Sequence, residues 1–337
     1  MFKELIKEIK EFIKSEYKYL INLLLILIIC FYPLDYYIVV GGGIDDIKDR
    51  ITVEDGYKSK GSFNISYVTE LDGNLLTYGL SYIIPKWERE SVSDYKYDDK
   101  ESLDDINFRN DLSLNVSASN AIKNAYSLAN KEVKEVSKHM YVIGLYYDKC
   151  NLKVGDEILK IDNQDIFSFD YREYLNSLEK YSTVKVTVKR NKKEITVDTN
   201  LISDEKTNAM GIYIERYIEY ETNPKVEIKF KRSESGPSGG LMTSLSIYNQ
   251  LVKEDITKGL KIAGTGTMES DGTVGEIGGI EYKVLGAAKG KADIFLSPKG
   301  ENYQDAIKMV KKHNLKIKVI EVENLEDAIS KIKELNN

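Results

Sequence analysis

The chain has 337 residues, 42% of them hydrophobic, enough to build packed cores in two or three domains. Its 48 Lys and Arg stand against 54 Asp and Glu, a net charge of −6, so no basic field invites nucleic acid. Cys30 and Cys150, the two cysteines, imply no disulfide framework; His139 and His313 lie near no cysteine pair at zinc-ligand spacing and read as surface residues.

Residues 1–18 set Lys3, Lys7, Lys10, Lys14 and Lys18 among Phe2, Leu5, Ile6, Ile9, Phe12 and Ile13, the pattern of a basic amphipathic helix on an inner membrane face. From Tyr19 to Leu34 the run YLINLLLILIICFYPL carries no charge, and Tyr17, Tyr19, Tyr32, Tyr36 and Tyr37 flank it like an aromatic belt. It is slightly short of the ~20 residues a spanning helix usually needs. A cleaved signal peptide fits less well, because a long lysine-containing segment precedes the run and no A-x-A-like site follows it. The expectation is a retained single-pass anchor over 19–40 in the cell membrane, lysines on the cytoplasmic side and everything after it outside.

Gly41-Gly42-Gly43 reads as a turn, and Ser62 to Val68 alternates polar and apolar residues as a half-buried strand does, so a sheet domain begins within 41–137. Residues 86–111 are dense in both charges and read as a solvated loop. Its Asp98, Asp99, Glu101, Asp104 and Asp105 lack the regular spacing of a calcium loop, and no metal is expected. Residues 117–134 read as a helix with Ala118, Ala121, Ile122, Ala125, Leu128 and Ala129 on one face.

Between 138 and 203 an apolar strand, Met140 to Leu145, precedes LKVGDEILKIDNQDI, a helix near Asp170 to Lys180, and the strands Val184–Val188 and Glu194–Val197 joined across Asn191. This order resembles a PDZ domain of the kind appended to bacterial envelope proteases. The resemblance implies a groove that takes a peptide as an added strand along Tyr141, Val142, Ile143, Gly144 and Leu145 and against the following helix.

In 204–337, strands at Ile212–Ile214 and Val226–Phe230 lead to Ser233-Glu234-Ser235-Gly236-Pro237-Ser238-Gly239-Gly240. A helix follows, with Leu241, Ser244, Leu245, Tyr248, Leu251 and Val252 sharing a face. Ser238 thus stands where a helix start offers unpaired N–H groups to a developing oxyanion. The same pattern, taken alone, describes a plain N-cap. A nucleophilic serine needs a base, and neither histidine is well placed. Instead Gly264 to Gly279 reads as a hairpin turning at Asp271-Gly272. Behind it a helix, Ile280 to Lys289, has Ile280, Val284, Ala287 and Ala288 on its apolar face and Lys283 at the edge. A lysine there either snorkels outward or is held in a desolvated pocket, where its pKa falls and it becomes a general base. Ser-Lys pairs are a recognised alternative to the histidine triad.

The stretches SGPSGGLMTSLSIYNQL and AGTGTMESDGTVGEIGGIEYKVLGAA resemble the two catalytic segments of Lon-type serine proteases. The order of anchor, PDZ-like segment and Lon-type domain is similar to the membrane-anchored, ATP-independent Lon-like proteases of Gram-positive bacteria. That resemblance implies Ser238 as nucleophile, Lys283 as its base and Thr265 as the residue that holds the lysine. Gly236, Pro237 and Gly239 would then shape the turn and the oxyanion site, Gly239 standing where alanine is common. The expected fold is α+β: an N-terminal transmembrane helix, then a Lon-type protease domain that the PDZ-like domain precedes or is inserted into. The expected activity is ATP-independent serine endopeptidase action on extracytoplasmic peptides or proteins, with no cofactor. The expected partners are peptide or protein substrates and the membrane, and a homo-oligomer is compatible with them. The rival reading is a non-catalytic, membrane-anchored PDZ scaffold that binds chain ends.

Overall fold

The structure is a computed structural model that describes residues 2–147 and 150–335. Helix α1 (Phe2–Cys30) precedes strands β1 (Pro33–Asp46), β2 (Ile51–Val53) and β3 (Ser62–Asn74), helix α2 (Leu75–Leu80) and strand β4 (Glu88–Ser91). Helix α3 (Leu103–Leu128) leads into β5 (Glu132–Leu145), β6 (Glu157–Ile161), β7 (Gln164–Asp165), helix α4 (Tyr171–Ser177), β8 (Thr183–Arg190) and β9 (Lys193–Asn200). Then come β10 (Ile202–Ser203), β11 (Asn208–Ala209), β12 (Ile212–Asn223) and β13 (Val226–Ile228). The remainder is α5 (Gly240–Leu251), β14 (Lys261–Gly264), the hairpin of β15 (Thr267–Met268) and β16 (Val274–Gly275), α6 (Ile280–Lys289), β17 (Ile294–Pro298), α7 (Glu301–Lys312), β18 (Lys318–Val322) and α8 (Leu325–Glu334). The chain divides into two compact units, Met1–Gly41 with Val68–Tyr95 and Gly42–Tyr67 with Lys96–Asn337.

In the first unit the expected membrane span is corrected. The charge-free part of α1 is Tyr19–Cys30, twelve residues, or about 18 Å at the ~1.5 Å rise of a helix, against a hydrocarbon core of about 30 Å. From Pro33 the aromatic and β-branched run Tyr36-Tyr37-Ile38-Val39 takes strand geometry and pairs antiparallel with Glu88–Ser91, so residues 33–40 are sheet rather than membrane helix. Among the described residues no helix is long and apolar enough to cross a membrane. Most apolar side chains of α1, from Phe2 to Ile29, are exposed.

The second unit is built on two sheets. In the first, β18, β17, β14 and the Ser62–Ile65 part of β3 lie side by side, all parallel. Alternate residues of these strands face opposite ways, and the core divides accordingly. Ile262, Leu296 and Ile320 pack with Leu241 and Leu245 of α5, Ala121 and Ala125 of α3, and Ala328 of α8. Ala263, Phe295 and Val319 face the other side and pack with Ile280, Val284 and Ala287 of α6 and Ala306 of α7. The second sheet, in the order β12-β5-β6-β8-β9, is antiparallel and closes on its own core of Val142, Ile158, Ile161, Val184, Val186 and Leu201.

Several local expectations change. Gly41–Gly43 lie inside β1 and make no turn; a Cβ on Gly286 would stand 2.7 Å from the Gly43 nitrogen, so the glycines let α6 settle directly on the strand. Part of the charged stretch 86–111 is ordered as β4 and the start of α3, which begins at Leu103 behind a Ser102–Asp105 capping box. α3 ends at Leu128, and Lys134 already belongs to β5. α5 is not amphipathic: Ser244, Ser246 and Asn249 are buried with its apolar residues because neighbours cover it on nearly every side. His139 is no free surface residue, since its ring stacks between Tyr141 and Tyr217 and bonds Glu157 at 2.5 Å.

Candidate active site

In open parallel sheets, ligand sites form outside the carboxyl ends of the strands. Here that end brings together Ile65, Gly264 and Pro298. Immediately after β14 comes Thr265, fully buried, its N–H donating to the Leu296 carbonyl at 3.2 Å. Two further bonds lash the turn before α5 to the same place: Gly266 N–H to the Ser238 carbonyl at 2.9 Å, and Leu241 N–H to the Gly266 carbonyl at 3.1 Å.

Lys283 arrives from the opposite face of the sheet. It sits in the first turn of α6, whose N-cap Gly279 has φ 67°, a left-handed value that glycine adopts without a Cβ penalty. Helical side chains lean toward the N-terminus, which carries this one to the strand end. Only 5% of Lys283 is exposed, so it does not snorkel outward. Its Nζ donates to Thr265 Oγ1 at 3.3 Å, and that hydroxyl donates to the Ser238 carbonyl at 3.1 Å. Lysine, threonine and the backbone of the serine therefore form one hydrogen-bonded line, while the Ser238 side chain is half-buried.

The turn itself is not an ordinary cap. The N-cap of α5 is Gly239, and no side chain, Ser238 included, accepts a capping bond there. Gly236 has φ +77° with open space around it, and the turn then passes through Pro237. At Gly239 a Cβ would lie 2.9 Å from the Ile65 Cδ1, so an alanine needs only a small shift of one flexible methyl. The first N–H groups of α5 are already engaged, Gly240 N–H by the Pro237 carbonyl at 3.2 Å and Leu241 N–H by the Gly266 carbonyl, so the donors this turn can present to an oxyanion are the backbone N–H groups of Ser238 and Gly239.

Sequence reasoning missed the contribution of α3. Ser117 Oγ donates to the Pro237 carbonyl at 2.8 Å and accepts the Met268 N–H at 3.1 Å, joining the turn to the hairpin. Asn120 Nδ2 reaches the Met268 carbonyl and Asn124 Nδ2 the Glu269 carbonyl, each at 2.9 Å, and Lys123 Nζ the Ser270 carbonyl at 2.6 Å. The signal was a polar stripe at helical spacing, which a solvated face explains equally well. Removing the Ser117 hydroxyl strands the buried Met268 N–H and leaves the Pro237 carbonyl only the Gly240 N–H at 3.2 Å, a cost of about 1–3 kcal/mol. Ser117→Ala is expected to lower kcat about tenfold with KM nearly unchanged, read by peptide-cleavage kinetics, while circular dichroism stays native.

The PDZ-like sheet places Tyr141, Val142, Ile143, Gly144 and Leu145 in β5, an interior strand. Ile212, Tyr213 and Ile214 of β12 pair with Leu145, Gly144 and Val142 on one side, and on the other Tyr141 meets Glu157 of β6. A peptide has no free edge to join there, because the strand that covers it comes from some seventy residues downstream. β12 and β9 are the edge strands of this sheet, and beside β12 a cavity of about 650 Å³ lies between Ile214, Glu215 and Arg216 and the start of α4 at Asp170, Tyr171 and Arg172. Burial pushes the Glu215 carboxyl above its ordinary range, against the Arg216 N–H bond that lowers it and with the charge of Glu269 adding to the rise. Among the described residues no cluster of His, Cys, Asp and Glu could hold a metal ion.

Two family models match this chain. Residues 147–201 match the PDZ domain and residues 225–334 the Lon protease (S16) C-terminal proteolytic domain. No curated protein matches. Similar solved structures include the PDZ domain of the SdrC-like protein from Listeria monocytogenes, at 26% identity over 24% of this chain and 92% of that one, TM-score 0.22. Its counterpart from Listeria innocua is 28% identical over 23% and 92%, TM-score 0.21.

Proposed function

We propose, starting from a chain that combines a PDZ domain with a Lon-type proteolytic domain and is thereby a Lon-like serine protease, that it cleaves peptides or proteins through a Ser238–Lys283 dyad without ATP. The observation that carries this reading is the buried Lys283 bonded through Thr265 to the backbone of Ser238. Low-dielectric surroundings favour a neutral amine over an ammonium ion, and the neutral amine is the form that can take a proton. In the proposed reaction Ser238 Oγ attacks the scissile carbonyl carbon and its proton passes to Lys283 Nζ. The tetrahedral oxyanion is held by the backbone N–H groups of Ser238 and Gly239, just before α5, worth about 3 kcal/mol per donor. Collapse breaks the C–N bond, Lys283 returns the proton to the leaving amine, and an acyl-enzyme remains. Water, deprotonated by Lys283, releases the acid and restores Ser238. Thr265 orients the lysine throughout.

The open edge of β12 beside α4 suits strand addition by an extended peptide, which would gather substrate near the protease. Independence from ATP is supported by the spacing of Gly286 and Gly290, separated by three residues with Lys291 followed by Ala292, which does not make a phosphate-binding loop. Attachment to a membrane surface through α1, without crossing it, and a place outside the cytoplasm are the remaining elements of the proposal; the first rests on the exposed apolar side chains of Tyr19–Ile29 and the lysines before them, the second on the resemblance of the PDZ-like segment to those appended to bacterial envelope proteases. Casein cleavage by the full chain is expected to proceed at the same rate with and without Mg-ATP; a several-fold stimulation would defeat ATP independence. The protein should sediment with membranes and be shaved by protease added to intact cells, and a soluble, protected pool would overturn the placement.

A further inference from the structure

Beside the turn that carries Ser238 lies a small cavity. Pro237, Gly239 and Gly240 of the turn line it, together with Ile65, Leu114 and Ala118. Ile228 and Phe230 continue the apolar lining, and Arg50 and Glu234 stand at its charged border. Three features define what fits. The walls are mostly hydrocarbon, Ser117 and Thr243 being the hydroxyl residues among them, and the Ser117 hydroxyl is already bonded to the Pro237 carbonyl and the Met268 N–H. The charged border is already neutralised: Arg50 ion-pairs with Asp45 and bonds both Glu234 oxygens at 2.8 and 2.6 Å, while Lys231 Nζ meets Asp45 at 2.6 Å. A charged ligand group therefore finds no counter-ion without breaking an existing pair. The free volume is about 10 Å³, near the lower bound for holding one water or a group of methyl size.

We infer that this cavity receives the side chain of the residue whose carbonyl Ser238 attacks, and that it selects an alanine-sized apolar residue there. The inference rests on the Ser238–Lys283 reading, since it is adjacency to that turn which makes the cavity a specificity pocket. Pro237 and Gly239, the chain neighbours of Ser238 on either side, both line the cavity, so a residue joined through its carbonyl carbon to Ser238 has its side chain within reach of it. Leucine, phenylalanine, lysine or aspartate would have to displace Ile65 or Leu114 or strand a charge against hydrocarbon.

The test is digestion of denatured casein by the full chain, with cut sites identified by mass spectrometry in wild type, Ser238→Ala, Leu114→Ala and Phe230→Ala. Ser238-dependent cuts should follow alanine at least tenfold more often than leucine, phenylalanine, lysine or aspartate, corrected for abundance. Leu114→Ala, which opens the wall, should raise cleavage after valine and leucine at least fivefold relative to alanine. Phe230→Ala, at a residue 38% exposed and therefore tolerant of truncation, is expected to shift preference the same way if Leu114→Ala fails to fold. Ser238-dependent cuts without enrichment, or mainly after large or charged residues, would overturn the assignment, as would a preference unmoved in both folded wall variants. A digest in which no cut depends on Ser238 defeats the dyad itself, and this pocket with it.

Discussion

Lys283→Met should abolish peptide cleavage and leave the fold intact. Methionine nearly fills the volume of the lysine without its amine, so a variant of this kind separates chemistry from packing. The loss expected in kcat/KM is at least about a thousandfold, because removing one member of a nucleophile–base pair disables the unit. The same loss is expected for Ser238→Ala, and the double variant should be no worse than either single one. Stability should move the other way. Lys283 is almost fully buried, and exchanging a buried polar amine for a thioether stem is expected to leave the unfolding midpoint unchanged or higher. Activity within tenfold of wild type in either folded single variant would sink the dyad. Thr265→Val, which deletes the hydroxyl between Lys283 and the Ser238 carbonyl, should be impaired, and Thr265→Ser should recover most of the rate.

Gly240→Ala comes next in severity. A Cβ there would lie 2.7 Å from the Met268 nitrogen and 2.9 Å from the Met268 Cβ, and would also run into the Ser117 hydroxyl. The first obstacle is backbone and cannot swing away, so α5 must retreat from the hairpin that carries Thr267 and Met268. The expected cost is about 1–3 kcal/mol of stability, as for overpacked cores. Because the retreat moves the nucleophile's turn, cleavage should fall at least about a hundredfold. Urea unfolding followed by fluorescence measures the first, and peptide kinetics the second. Gly278→Ala is the control: nothing lies within 4 Å of a Cβ at that position, and both readouts should stay near wild type.

Much of this site could be read from residues alone. Ser238 on a glycine turn, Lys283 after a hairpin, and the helix from Ile280 to Lys289 are local features, set by turn chemistry and periodicity within a few residues. The β8–β9 hairpin was equally plain, with Asn191 and Lys192 at φ 50° and 65° as a tight turn requires. What escaped was non-local. Nothing near Tyr141 announces that β12 will cover its strand, and nothing near Ser117 announces that its hydroxyl will bridge Pro237 and Met268, 120 and 151 residues away. The membrane span failed for a related reason. Hydropathy reads Tyr36 to Val40 as apolar, but the partner that makes them a strand, Glu88 to Ser91, lies fifty residues on. Lys283 was placed correctly in its helix and only at the rim of its apolar face; its depth depends on the sheet behind it.

The pairing of Ser62–Ile65 with Lys261–Gly264 has a consequence for how the protein is made. The strand that floors the catalytic end leaves the ribosome almost two hundred residues before its neighbour, and the antiparallel module is synthesised in between. That module draws on closer segments and can close early, whereas the protease sheet must wait for the last part of the chain and then join across a long loop, a slow step. Ser238, Thr265 and Lys283 all lie in that late segment. A partly made or truncated chain would therefore carry a formed antiparallel module while the parallel sheet that gathers Ser238, Thr265 and Lys283 is still incomplete.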